Sequence, residues 1–189
     1  MDLFEYILVI TSVIYALAIA QILSGIGRLA QTEATIRRFL PHTLWVVILF
    51  VCILMFWWAG WEFRAVEWAF PKYLYIMITP IFMFYAASLI IPARTDGQEV
   101  NLKKHFSKIK GPVLWSFFIA LLTQFADGPL LASEPLWFSG RVIQAVLLCV
   151  VIWGVFVKNE QLQAVPPIGV LLFLVFVSLT RLWTPGVIE

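Results

Sequence analysis

The two histidines are the side chains in this sequence that most readily do metal or acid–base chemistry. His42 and His105 both fall near the ends of apolar segments, so two neutral imidazoles could face each other and ligate a haem iron. Neither has a second histidine or a cysteine three or four residues away, the spacing that metal sites on a helix use. We therefore expect two histidines at a membrane boundary, no metal site and no cofactor.

Few other residues in the sequence could form a catalytic site. Asp127 closes an apolar segment on the side opposite the histidines, and about 30 Å of hydrocarbon would separate them. A Ser-His-Asp arrangement cannot form from these parts. The sequence has no G-x-S-x-G, no H-E-x-x-H and no glycine-rich phosphate loop. We predict that the protein is not an enzyme.

A tryptophan-rich stretch, FWWAGWEFRAVEWAFPKYLY, follows an apolar run. If its helix continues to Ala69, a Trp/Arg stripe lies on one face at spacings i, i+4, i+7 and i+11. Arginine between tryptophans is placed for cation–π contact. The stripe could anchor a helix end at the membrane boundary or recognise a partner. Its residues are Trp57, Trp61, Arg64 and Trp68.

A second set of charged residues lies at similar depth on the predicted outer side. Asp127 ends one segment, and Arg141 and Arg181 each lie about one turn inside another. Together with Arg64 they could form an outer polar cluster. Each arginine could pair locally and fix a helix end, or the cluster could gate a substrate or bind an anion.

The elements that must position these residues are membrane helices. The chain of 189 residues is 62% hydrophobic and 13% charged, so lipid must surround most of it. We predict an all-α integral membrane protein, a bundle of six transmembrane helices forming a single domain over residues 1–189. The predicted helices cover approximately 4–29, 42–63, 72–91, 111–126, 136–157 and 167–183.

Lysine and arginine indicate the orientation. If both termini are on the non-cytoplasmic side, nine basic residues face the cytoplasm and four face outside. The inner set is Arg28, Arg37, Arg38, Arg94, Lys103, Lys104, Lys108, Lys110 and Lys158, and the outer set is Arg64, Lys72, Arg141 and Arg181. Short loops and this bias are typical of a bacterial cytoplasmic membrane.

The first helix carries a small-residue ridge, which we define as Ser12, Ala16, Ala20 and Ser24. Small residues at every fourth position let another helix approach closely, either from the same chain or from another subunit. In the third helix, Pro80 predicts a simple kink.

Ionisable residues near the middle of a span mark ion and proton pathways, and the predicted spans have none there. We therefore predict a non-catalytic protein that acts by association, as an accessory or scaffold subunit or a self-assembling bundle. Its partners are the bilayer and other membrane subunits or further copies of itself, not nucleic acid. The alternative is a channel or carrier for a small uncharged solute, with polar lining from Gln21, Thr79, Thr123, Gln124 and Gln144.

Overall fold

The chain folds almost entirely into helices with short connections. The computed structural model describes residues 2–93, 99–131 and 139–181. In chain order the elements are α1 (Leu3–Gln31), β1 (Thr35–Arg37), α2 (Leu40–Ala59), a 3₁₀ helix (Gly60–Ala65), α3 (Phe70–Ile76), α4 (Ile78–Ile90), β2 (Glu99–Asn101), α5 (Leu102–Leu131), α6 (Ser139–Phe156) and α7 (Val165–Arg181).

Among the described residues, four helical stretches are long and apolar enough to cross a membrane. The all-α prediction is confirmed, and the lengths and composition of these helices fit a membrane protein. The four stretches are Leu3–Gln31, Leu40–Ala65, Phe70–Ile90 and Leu102–Leu131, and shorter apolar helices cover Gln144–Phe156 and Val165–Leu179 within the described residues.

Local chemistry explains where these helices begin and bend. Asp2 and Glu5 form a reciprocal capping box at the start of α1, each accepting a hydrogen bond from the other's backbone amide. The third predicted segment is interrupted at Met77, between α3 and α4. Pro80 lacks the amide hydrogen that would bond the carbonyl of Ile76, so the regular ladder fails at this point.

The prediction for the fourth segment was wrong at both ends. Residues 102–110, expected to be loop, are the first turns of α5, because Leu102 and Phe106 are buried while the lysines between them are exposed. The side chain of Asn101 also accepts a hydrogen bond from the amide of Lys104, as an N-cap residue does. At the other end, the helix was expected to stop at residue 126, but Asp127, Gly128 and Pro129 lie inside α5, which continues to Leu131.

The sequence did not predict the two short strands. β1 and β2 pair in parallel, and Thr35, Ile36 and Arg37 lie opposite Glu99, Val100 and Asn101. They join the connection between α1 and α2 to the residues before α5. We call this end of the bundle the basic end, and the opposite end, with the 3₁₀ helix and the last turn of α5, the aromatic end.

The core forms where α4 packs between α1 and α5. Ile22, Ile53, Met83 and Leu114 are fully buried in it. α1 and the end of α4 approach closely at Gly25, where an added Cβ would lie 2.9 Å from the Cβ of Ile91. A glycine is needed there because Ile91, at the end of α4, leaves no room for a side chain.

Candidate functional site

Hydrogen bonds join α3 and α4 to the last turns of α5 at the aromatic end. The Tyr75 hydroxyl donates to the backbone carbonyl of Thr123 at 2.6 Å, and the Thr79 and Thr123 hydroxyl oxygens are also 2.6 Å apart. Because the Thr123 hydroxyl donates to the carbonyl of Ala120 at 2.7 Å, Thr79 provides the hydrogen of the threonine pair. Lys72 reaches the carbonyl of Leu131 at 3.4 Å. Polar groups thus set the register between these helices.

A small cavity of about 30 Å³ lies beside this contact, between α1, the end of α2 and α5. We call it the outer pocket. Its polar lining comes from Thr11, Tyr15, Thr79 and Gln124. Its aromatic lining comes from Phe4, Tyr15, Phe56, Trp57, Phe63 and Trp68. The indole nitrogen of Trp68 is buried without a hydrogen bond among the described residues. A cavity of this size has room for about two water molecules.

Only some of the residues predicted to form a polar lining lie at the outer pocket. Thr79 and Gln124 line the outer pocket, and Thr123 is buried beside them. Gln21 is exposed on α1 and Gln144 is half-buried on α6, and neither lines the pocket.

Asp127 is buried one turn beyond Gln124 on α5, with 5% of its surface exposed. The Tyr75 hydroxyl lies beside its carboxyl group, but that hydroxyl has one hydrogen and donates it to Thr123. Both Asp127 carboxyl oxygens are therefore buried without a hydrogen bond in the part of the chain that the structure describes. Such a group is costly unless something else neutralises or bonds it.

Three further groups interact electrostatically with Asp127. These are the Tyr15 side chain, the Glu62 carboxylate and the Arg141 guanidinium. The structure therefore brings Asp127 and Arg141 of the predicted outer polar cluster together, but both are buried rather than exposed at the outer surface. The side chain of Arg181 lies outside the described residues.

Arg141 is 3% exposed, and its position follows from a proline on the neighbouring helix. Pro129 has no amide hydrogen to bond the carbonyl of Phe125, four residues earlier. The Arg141 guanidinium, on α6, donates to that carbonyl and lies 5.5 Å from the centre of the Phe125 ring. This contact was not predicted from the sequence, although the spacing of Phe125 and Pro129 identifies which carbonyl is left free.

The prediction that the Trp/Arg stripe lies on one helical face was wrong. α2 ends at Ala59, a 3₁₀ helix follows to Ala65, and Val66 is extended, so Trp68 leaves the stripe and lines the outer pocket. The predicted cation–π contact is present, with the Arg64 guanidinium carbon 5.9 Å from the Trp61 ring centre. Trp61 also packs edge-on against Phe4, at 6.0 Å between ring centres.

Apart from Ser12, the small-residue ridge faces away from the other helices that the structure describes. Ala16, Ala20 and Ser24 are exposed, whereas the buried face of α1 contains Tyr15, Ala18, Ile22 and Gly25 on the opposite side. Ser12 differs, because its hydroxyl accepts a hydrogen bond from the indole nitrogen of Trp57 at 2.8 Å. The possibility that a helix of the same chain packs on the ridge is therefore contradicted for Ala16, Ala20 and Ser24 within the described residues.

The two histidines meet at the basic end, with ring centres 6.0 Å apart. The Nε2 of His42 bonds the carbonyl of Ile90 at 2.7 Å, and that of His105 bonds the carbonyl of Leu89 at 3.1 Å. A carbonyl only accepts, so each Nε2 carries the hydrogen. Both histidines thus cap the end of α4, where the last carbonyls lack helical donors. His42 is buried, with 2% of its surface exposed, whereas His105 is half-buried.

No group of three His, Cys, Asp or Glu side chains within residues 2–93, 99–131 and 139–181 could hold a metal ion. Comparisons of the chain with models of protein families, with curated proteins and with solved structures found no match. The geometry of the described residues is therefore the basis for assigning a function.

Proposed function

We propose that this protein is a non-catalytic membrane subunit that acts by association, either as an accessory or scaffold component of a larger complex or as a self-assembling bundle. The full arrangement would be six transmembrane helices with both termini on the non-cytoplasmic side of a bacterial cytoplasmic membrane. The nine-to-four division of basic residues supports this orientation.

The observation that carries the proposal is the direction of the small-residue ridge. Lipid tails fill any surface equally well, so small residues are enriched where another helix packs closely. Ala16, Ala20 and Ser24 are exposed, on the side of α1 opposite its buried face. A helix from another subunit, or from a second copy, would find a shallow groove there.

The aromatic end extends this surface. The Trp57 indole bonds Ser12 of the ridge, and Trp61 packs on Phe4 of the same helix. Trp57 and Trp61 remain 45% and 46% exposed, so large rings flank the ridge and stay available for contact. Tryptophan contributes strongly to binding when it becomes buried at an interface. The ridge and the two tryptophans therefore form one continuous association surface.

Enlarging two ridge residues tests the proposal. In gently solubilised membranes, the wild-type chain is expected to migrate as a complex with itself or with a partner. Ala16→Leu with Ala20→Leu should shift it to the monomer mass, measured by size-exclusion chromatography with light scattering. Leu172→Trp is the matched control, because Leu172 is 68% exposed on α7, away from the ridge. A wild-type monomer without a partner, or a double variant with unchanged mass, would contradict association through this face.

A channel or carrier is the second candidate, and the outer pocket is the observation that favours it. Thr79 and Gln124 line the pocket, but the side chains further along α4 toward the basic end are apolar and buried, including Met83, Ala86 and Ile90. A conducting protein would have to open this core. Solute flux into liposomes, with Gln21→Ala and Gln124→Ala as variants, tests this function, and flux that neither change affects would reject this polar route.

A further inference from the structure

The first turns of α5 carry four lysines, and two of them bind other parts of the chain. The Lys103 ammonium lies 2.7 Å from a carboxylate oxygen of Glu160. The Lys110 ammonium donates a hydrogen bond to the backbone carbonyl of Val157 at 2.6 Å. Both partners lie in the connection between α6 and α7, so these two lysines attach the start of α5 to that connection.

The other two lysines, Lys104 and Lys108, have no such attachment. Both are exposed, and they are one helical turn apart, so their side chains lie on the same face of α5. Within the residues that the structure describes, neither ammonium group has an ion pair or a hydrogen bond. Two like charges at this spacing repel each other, and an anion held between them would remove the repulsion.

Exposed aromatic residues continue this face toward the middle of the helix. Trp115 lies seven residues after Lys108, which is two turns and about 10 Å along α5, and it is 43% exposed. Phe156, the last residue of α6, is 64% exposed and packs edge-on against Trp115, with 6.5 Å between ring centres. Lysines followed by an exposed tryptophan are typical of a helix that passes from lipid headgroups into hydrocarbon.

The length of α5 brings the lysines to the depth of the headgroups. The helix has 30 residues and is about 45 Å long, whereas the hydrocarbon core of a bilayer is about 30 Å thick. About 15 Å of α5 therefore extends beyond the core. The excess belongs at the start of the helix, because residues 111–131 contain no lysine or arginine and are mostly apolar.

We propose that Lys104 and Lys108 bind the phosphodiester group of an anionic phospholipid, whose acyl chains lie against Trp115 and Phe156. Each ammonium group would donate to one of the two free phosphate oxygens. Phosphatidylglycerol suits this site better than phosphatidylcholine, because the choline group would place a further positive charge beside the lysines. The inference uses the membrane location of α5 and is independent of the association surface on α1.

Binding is tested on the purified full chain in detergent by native mass spectrometry. Phosphatidylglycerol and phosphatidylcholine with the same acyl chains are added at equal concentrations. Each lysine beside an anionic headgroup contributes about fivefold in affinity, so the wild type is expected to bind phosphatidylglycerol about 25-fold more tightly than phosphatidylcholine. Equal binding of the two lipids would overturn the proposal, because the lysines would then be solvated rather than bound to phosphate.

Two double variants locate the site. Lys104→Gln with Lys108→Gln should weaken phosphatidylglycerol binding about 25-fold, and the fold should persist because both side chains are exposed. Lys103→Gln with Lys158→Gln is the matched control, because it removes the same charge from exposed lysines at the same end of the bundle, on the side of the α6–α7 connection. An equal loss in the control would contradict the site and indicate attraction by overall charge.

Inorganic phosphate distinguishes a lipid from a free phosphate ion as the ligand. Sodium phosphate should displace bound phosphatidylglycerol no better than sodium chloride at the same ionic strength, because the acyl chains contribute to lipid binding. Stronger displacement by phosphate would identify a free phosphate site and contradict the lipid assignment. Light scattering on the Lys104→Gln, Lys108→Gln variant keeps this test distinct from the association proposal, because its particle mass should equal that of the wild type when lipid binding is lost.

Discussion

The guanidinium of Arg141 on α6 donates a hydrogen bond to the backbone carbonyl of Phe125 on α5. Pro129 leaves that carbonyl without its usual donor, because proline has no amide hydrogen. A side chain from one helix thus completes the hydrogen bonding of another. In lipid this matters more than in water, since no solvent can satisfy the free carbonyl.

Replacing Arg141 should therefore be costly, and replacing Pro129 should reduce that cost. Arg141→Met is expected to destabilise the fold by about 1–3 kcal/mol, the typical cost of an unsatisfied buried polar group. Pro129→Ala restores the amide donor, so the double variant should lose less stability than the sum of the single changes. Thermal unfolding in detergent micelles, followed by circular dichroism, measures the coupling. Additive effects would show that the freed carbonyl is not the reason for the contact.

The two nearby glycines of α1 should respond in opposite ways to alanine. At Gly25 an added Cβ would lie 2.9 Å from Ile91, so Gly25→Ala should destabilise the bundle by about 1–3 kcal/mol. At Gly27 nothing lies within 4 Å, and alanine should stabilise the helix by about 0.5–1 kcal/mol. The same unfolding experiment compares them. A neutral Gly25→Ala would mean that α1 and the end of α4 approach less closely than described.

The threonine pair between α4 and α5 should show measurable coupling. A double-mutant cycle with Thr79→Val and Thr123→Val isolates their hydrogen bond, whose oxygens are 2.6 Å apart. We expect a coupling energy of about 0.6 kcal/mol, with an upper value of about 1.7 kcal/mol, as for other hydrogen bonds between membrane helices. Ser88→Ala is the control, because that hydroxyl is exposed and bonds the carbonyl of Tyr85 in its own helix. Zero coupling would reject a direct bond.

The two histidines that cap α4 should differ in importance. His42 is 2% exposed, whereas His105 is half-buried, so water can replace the bond of His105 to Leu89 but not the bond of His42 to Ile90. His42→Leu should therefore destabilise the fold by about 1–3 kcal/mol, and His105→Leu by less. Chemical unfolding in mixed micelles ranks the two variants. The reverse order would indicate that packing of the rings, rather than carbonyl capping, determines their effect.

Much of the secondary structure was predictable because lipid imposes a simple length and hydropathy requirement. The apolar runs identified α1 and α2 closely, and Pro80 indicated the break between α3 and α4. The limits of α5 were not predictable from the positions of glycine and proline alone. Gly111-Pro112 and Gly128-Pro129 resemble helix ends, yet each proline removes one amide donor only, and contacts such as the one from Arg141 compensate for the loss.

The candidate site was only partly predictable. Sequence indicated polar residues at Thr79, Thr123 and Gln124, but it could not show that Gln21 is exposed. It also placed Asp127 at an accessible helix end, because the residues that cover it come from other helices. Tyr75 was missed, since a tyrosine near a predicted membrane boundary looks like an ordinary anchor.

The amino-acid sequence by itself determined that the chain is helical, that its helices suit lipid and that its charged groups gather toward their ends. Those properties depend on local composition and on the hydrogen-bonding needs of each segment. Only the tertiary structure decided which side of α1 is buried, which carbonyl Arg141 satisfies and that Asp127 has no hydrogen-bonding partner among the described residues. These features depend on the rotation of each helix against its neighbours, which packing between residues distant in the chain determines.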